Sequence, residues 1–341
     1  MSVRRRRLRS IVAFGGGLLL ALALPLTAGE LYLRAFPPED FRPYLGEASP
    51  LTGPFRPDEA FGVQYRSWDA FKKDHEGRIW PYLPYIEGSW KPPTWAMFGN
   101  SFVQAAGMLA DTARVRVPQR MIFNLGRNEP LAVRLAQVQL LLENGLRPER
   151  IFVALLPLDL VALGQHRLAD VHVTAAGALT YRPRNPGGAL GWAIGHSRLA
   201  LTGWVRSKRH YANPAFRPGD LVSRIDPLIL SDVEHLFRSL ATTTQRFGVP
   251  VTVVLIPNYE QITRGAPFGF QDALGPMLER IGFDVVDPRQ LFVEYPDKKA
   301  LFIPDKHFST LGNQLLLDEI LRHLRTLGAD PTTSLAGGVG S

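Results

Sequence analysis

The stretch whose reading decides the fold is Trp95–Gly107, WAMFGNSFVQAAG. The apolar run Trp95 to Phe98 meets Gly99-Asn100-Ser101. A second apolar run, Phe102 to Met108, reads as the start of a helix. The pattern is strand, tight turn, helix. A serine in such a turn is lifted off the end of a sheet, beside the positive end of a helix, a placement that suits a nucleophile. As a bare string the triplet is also ordinary loop composition. Its meaning depends on the rest of the chain.

Downstream, strand and helix signals alternate. Met121–Leu125 is a short apolar strand ending in Asn124-Leu125-Gly126. Leu131, Leu135, Val138 and Leu142 then recur at helical spacing, and Gly145 sits where a C-cap glycine belongs. Ile151–Leu156 is wholly apolar, as expected of a parallel strand buried on both faces, and closes at Pro157-Leu158-Asp159. After an interruption the rhythm resumes. A helix is expected over about 231–247, a strand over Val249–Ile256, a helix over about 271–281 and a strand over Phe283–Val286. A last helix is capped by Ser309, with Leu316, Ile320, Leu324 and Leu327 on one face. This alternation predicts a three-layer α/β/α sandwich around a parallel sheet. Sites in such sheets lie beyond the carboxyl ends of the strands, so Ser101, Gly126, Asp159 and the loop holding His307 are expected on one rim.

The flanking regions read differently. Arg4–Arg9 contains five arginines and is followed by the uncharged run Ile11–Gly29. That run is close to the ~20 residues that cross a bilayer as a helix. The arginines favour a cytoplasmic N-terminus and an exported remainder, on the inner membrane if the source is bacterial. A signal peptide cleaved after Ala28 is the competing reading; the length of the run and Leu26 at the minus-three position favour a retained anchor. The net charge of +8 owes five units to the arginine block, which leaves +3 for the remainder and no case for nucleic-acid binding. The chain has no cysteine, which excludes disulfides, a thiol nucleophile and a lipoprotein anchor. The expected organisation is an anchor over residues 1–29 and a linker and extension over 30–90. A main domain follows over 91–328, with an insertion at 161–227, then a disordered tail over 329–341. Phe61–Tyr65 reads as a short strand on the surface of the main domain. Trp80, Tyr82, Tyr85 and Trp90 are candidates for stacking on sugar rings or for packing.

Chemistry concentrates at few positions. Serine needs a neighbouring base to take its proton, and the base is best held by a carboxylate. Asp305-Lys306-His307 offers both, because residues two apart in an extended loop project to the same side. Asp159, Tyr259 and Glu260 follow predicted strands and are placed to line the cleft. His166, His172, His196 and His210 are too irregularly spaced for a metal motif. No phosphate-binding or dinucleotide glycine pattern is present, so no cofactor is expected.

Gly99-Asn100-Ser101-Phe102, Gly126 and Asp305-x-His307, spread over Trp95 to Leu327, resemble the SGNH/GDSL hydrolase superfamily. The likeness is strongest to its membrane-anchored bacterial branch, which includes alginate O-acetyltransferase-like proteins and shares the D-x-H spacing. The resemblance implies a flavodoxin-like fold with Ser101 as nucleophile, His307 as general base and acid, and Asp305 as its orienter. The N–H groups of Ser101 and Gly126 would serve the oxyanion. Two positions depart from the family: Asn100 stands where aspartate is usual, and Leu158 where an asparagine donor is usual. Asn128 is a candidate replacement donor. Losing one such donor typically costs about 10²–10³ in rate. The resulting expectation is an exported serine esterase or O-acyltransferase. Its substrate would be a carbohydrate or another acylated compound, with a membrane-bound acyl donor as a possible partner. The alternative is a catalytically weakened module of the same fold that binds polysaccharide or an export partner.

Overall fold

The computed structural model describes residues 23–36, 55–75, 80–87, 94–127, 129–160 and 224–329, with short pieces at 163, 171–173, 179–181, 189, 192–193, 196–200 and 202–203. Residues 23–35 are helical. Among the described residues no helix is long and apolar enough to cross a membrane. The arginine block, most of the apolar run that follows it, Asn128, Trp90, most of the 161–227 insertion and the tail beyond 329 lie outside the described residues.

Nine strands are described. They are β1 (Phe55–Asp58), β2 (Gly62–Tyr65), β3 (Thr94–Phe98), β4 (Met121–Asn124), β5 (Arg150–Leu155), β6 (Val171–Val173), β7 (Leu179–Tyr181), β8 (Val251–Leu255) and β9 (Asp284–Val286). Ten named helices accompany them. In chain order these are α1 (Trp68–Asp74), α2 (Leu83–Ile86), α3 (Ser101–Gln104), α4 (Leu109–Arg116) and α5 (Leu131–Glu143), then α6 (Pro227–Phe247), α7 (Tyr259–Arg264), α8 (Gly269–Ile281), α9 (Arg289–Glu294) and α10 (Thr310–Thr326).

The central sheet has five strands in the order β4-β3-β5-β8-β9, all parallel. The first of these strands in the chain, β3, lies between the second and the third, so the winding reverses there. The crevice at such a reversal is where ligands bind in open α/β sheets.

Side chains alternate across the sheet with the period of two that a strand imposes. Ala96, Phe98, Ile151, Val153, Leu155, Val251, Val253 and Leu255 point to one core, filled by α5, α6 and α8. Trp95, Met97, Phe152, Ala154 and Val254 point to the other, filled by α3, α4, α7, α9 and α10. The three layers expected from the alternation are therefore present. Local chemistry sets the ends of the elements. Gly248 and Gly282 end α6 and α8 in the left-handed conformation, and Ser309 caps α10 by accepting from the Gly312 amide.

Two expectations need correction. Phe61–Tyr65 is not a surface strand. β1 and β2 form an antiparallel hairpin whose Val63 and Tyr65, with Phe61 in its turn, are buried in the same core as α5. Gln64 is buried with them and donates to Ala136 O at 3.1 Å. Much of the stretch expected as linker and extension, including Phe71, Leu83 and Ile86, thus packs into the main core. Tyr82 and Tyr85 pack on Phe123, one of the two uses expected of them, with ring centroids 4.4 and 6.0 Å away. Second, the run after Ser101 is not one helix. α3 stops at Gln104, the chain extends at Ala105, and α4 begins at Leu109.

Candidate active site

β3 delivers Gly99 to the sheet edge at the switch point. A Cβ on Gly99 would collide with the Val103 side chain, so a larger residue fits this turn only if Val103 shifts. Asn100 caps α3: its Oδ1 accepts the Phe102 amide at 3.0 Å. That leaves Ser101 as the first residue of the helix. An amide caps as well as a carboxylate here because only the acceptor oxygen is used.

The other half of Asn100 reaches beneath the turn. Its Nδ2 donates to both carboxylate oxygens of Asp159, each at 3.2 Å. Asp159 also accepts the Leu156 amide at 2.7 Å and Arg134 Nη2 at 2.9 Å. Both charged side chains are almost fully buried, at 1% and 4% exposure. The same Nη2 faces Glu129 O at 3.2 Å and Arg127 O at 3.5 Å. One guanidinium therefore ties the loops after β4 and β5 together and, through Asp159, holds the loop after β3.

Arg134 is absent from the sequence-based candidates. It is the one charged residue in the run Leu131–Leu142, and a charge amid eleven apolar or amide side chains is the signal that could have found it. Such a residue is almost never buried without a partner.

His307 arrives from the other end of the chain. Its Nε2 lies 2.7 Å from Ser101 Oγ, and its ring packs 4.8 Å from Phe102. The turn that carries it is closed by Lys306 N to Ile303 O and Ile303 N to His307 O, both 2.9 Å. Lys306 sits in it at φ 71°, among the described residues the only non-glycine with positive φ. Its Nζ donates to Glu260 Oε1 at 2.6 Å and lies 5.7 Å from the Tyr259 ring. Tyr259 itself meets Phe302 edge to face. It supports the His307 turn. Asn258 starts α7 with a capping box that includes Gln261.

Asp305 contributes in two unequal ways. Its Oδ1 accepts the His307 amide at 3.1 Å. It also lies 3.1 Å from His307 Nδ1, yet that nitrogen is buried without a properly angled hydrogen bond. The Asp305 carboxyl is held below the usual carboxylate range, chiefly by the His307 backbone N–H.

Gly126 lies where the resemblance puts an oxyanion donor, hard against α3. A Cβ there would sit 2.9 Å from Gln104 N, which only a residue without one allows. Its N–H is directed at Asn124 Oδ1, at 3.2 Å. Asn124 in turn donates to Gln104 O at 3.2 Å. Leu158, in the turn after β5, is 61% exposed and offers no donor.

Asp74, His75 and Glu129 cluster beside this network, near enough to one another to hold an ion. Arg127 already occupies the centre, 2.7 Å from Asp74 and 3.2 Å from Glu129, so a cation there would meet a guanidinium. Burial raises the Glu129 carboxyl above its ordinary range despite Arg127.

No family model and no curated protein matches this chain. Among solved structures, the lipase/acylhydrolase from Enterococcus faecalis is 14% identical, covers 69% of this chain and 96% of its own, and has a TM-score of 0.39. An acetylxylan esterase from Geobacillus stearothermophilus is 13% identical, covers 68% and 94%, and has a TM-score of 0.37. Overlap at this level carries no argument about activity.

Proposed function

We propose that this chain is an exported serine esterase or O-acyltransferase that works through an acyl-Ser101 intermediate. The observation that carries the reading is the 2.7 Å contact between Ser101 Oγ and His307 Nε2, with Ser101 at the start of a helix. His307 takes the hydroxyl proton as Oγ attacks the acyl carbonyl. The tetrahedral intermediate collapses, the alkoxide leaves, and it takes the proton back from His307. Water or a sugar hydroxyl then attacks the acyl-serine by the same steps in reverse. Asp305 steadies the ring and would stabilise the imidazolium. The acceptor decides between hydrolysis and transfer.

Carbohydrate is the substrate class that agrees with the D-x-H spacing and the arginine-then-apolar N-terminus. The same N-terminus supports an anchored domain outside the cytoplasm, with a membrane-bound acyl donor as partner.

A second reading, a weakened binding module, is favoured by three details: Leu158 offers no donor, the Gly126 N–H is taken by Asn124, and His307 Nδ1 has no aligned bond. The test is the full chain in detergent with an activated aryl acetate, followed by intact mass. The esterase reading expects an acetylated Ser101 and complete loss of release in Ser101→Ala. Equal release by wild type and Ser101→Ala overturns it.

A further inference from the structure

Glu30 is the first charged residue after the apolar run Ile11–Gly29, and its carboxylate is fully engaged at long range. It accepts Ser197 Oγ at 2.9 Å, the Arg198 amide at 2.8 Å and the Leu199 amide at 2.9 Å. Arg34, one turn later, donates to Glu30 at 2.9 Å and reaches His196 O at 3.0 Å. Gly29 faces Leu199, where an added Cβ would touch both methyl groups at 3.6 Å. Burial would raise the Glu30 carboxyl, but the Arg198 and Leu199 amides, Arg34 and Ser197 outweigh it and bring it down to about 2. The group stays ionised at neutral pH.

An ionised carboxylate does not sit in hydrocarbon. If the run before it spans the bilayer, Glu30 marks the outer headgroup level, and the groups hydrogen-bonded to it lie at the same depth. Trp192 stacks on His196 at 4.8 Å and is 66% exposed. On the helix side, Leu31, Tyr32 and Phe36 are exposed too. Tryptophan and tyrosine are favoured at that level of a membrane, where an apolar ring and a polar edge are both accommodated. Arg34 adds an exposed cation beside the lipid phosphates.

We infer that residues 192–193 and 196–200 form a second membrane contact, clamped by Glu30 to the exit of the anchor and lying on the outer headgroup layer of the bilayer. This rests on the anchored reading given above. Its consequence is mechanical: these residues are held beside the exit of the anchor at the depth of Glu30.

The chain has no cysteine, so single spin labels can be placed cleanly. Leu24→Cys, Trp192→Cys and Val115→Cys are labelled in the full chain, reconstituted in vesicles of phosphatidylethanolamine and phosphatidylglycerol. Accessibility to oxygen and to a water-soluble relaxer is then measured. The expected result is a label at 24 in the hydrocarbon, at 192 at headgroup depth and at 115 in water. Adding Glu30→Ala should return 192 to water and leave 24 unchanged. A water-exposed label at 192 with 24 buried overturns the inference and spares the anchor. A water-exposed label at 24 overturns both. Shielding at 192 with spin–spin broadening that disappears on spin dilution identifies a second copy as the cover, and also overturns it.

Discussion

His307 presents Nε2 to Ser101 at 2.7 Å, whereas Asp305 meets Nδ1 from the side. The two residues should therefore differ in weight. His307→Ala removes the base and should lower kcat by about 10²–10⁴-fold, the usual contribution of a positioned acid–base group. Asp305→Asn keeps an oxygen for the His307 amide and gives up only the poorly aligned contact with Nδ1, so its loss should be smaller. Steady-state kinetics on an aryl acetate, with KM followed separately, check the order; an equal loss from both would mean that Asp305 swings into line on substrate binding. The turn itself depends on Lys306. A lysine at φ 71° is strained, and its bond to Glu260 offsets that cost. Burial pushes the Glu260 carboxyl up, Lys306 pulls it down, and the net result is below its ordinary 4.5. A carboxyl lowered in the folded state adds stability that is complete above the unfolded value and is lost as pH falls through the folded one. Amide-exchange protection of Lys306 should therefore fall as pH drops below about 4.5. In Glu260→Gln, which has no carboxylate to titrate, protection should be low throughout.

At the scale of elements, Arg134 and Asp159 join the loops that follow β3, β4 and β5. Removing one partner of a buried ion pair strands the other charge, at a cost of about 3–5 kcal/mol, whereas removing both is often neutral. Arg134→Met should therefore lower the Tm sharply, and the double variant Arg134→Met/Asp159→Asn should recover most of it. If the pair positions Ser101, the double variant stays slow in kcat with an unchanged KM; if it serves stability alone, kcat returns with the Tm. Much of this scale was legible in the sequence. The five sheet strands, Gly145 and Gly248 at helix ends and the Ser309 cap follow from local chemistry, and the pairing of Ser101 with His307 followed from their places after strands. What was not legible arises from contacts between elements. The break between α3 and α4 depends on Asn124 holding Gln104 O and on Asp111 accepting the Gly107 amide, and no helical period records either. α7 was missed although Asn258 and Gln261 form the N-x-x-Q capping signature. Tyr259, expected in the cleft, supports the His307 turn because α7 begins there.

The whole molecule extends further toward the N-terminus than its sequence rhythm implies. The alternation of strand and helix begins at Thr94, and proline, glycine and aromatics make the preceding stretch read as a linker and an extension outside the main domain. The burial pattern contradicts that reading. Phe61, Val63, Tyr65, Phe71 and Ile86 are each at most 1% exposed, and Leu83 is 9% exposed, all in the core that α5 shares with the sheet. Their burial covers the outer side of the helix that carries Arg134, so the hairpin also seals the ionic network from water. Tyr65 donates to Asp74 at 2.9 Å beside that network. Burial of a large apolar side chain contributes about 1.5–3 kcal/mol. Six such residues together rival the entire stability of an ordinary domain, about 5–15 kcal/mol. A chain cut at residue 91, which keeps every strand of the central sheet and all of Ser101, Asp305 and His307, should therefore fail to fold. A chain cut before Phe55 should keep a cooperative thermal transition. Circular dichroism and calorimetry on the two truncations decide the matter: a cooperative transition from the shorter one would show that the hairpin decorates the domain and is not part of its core.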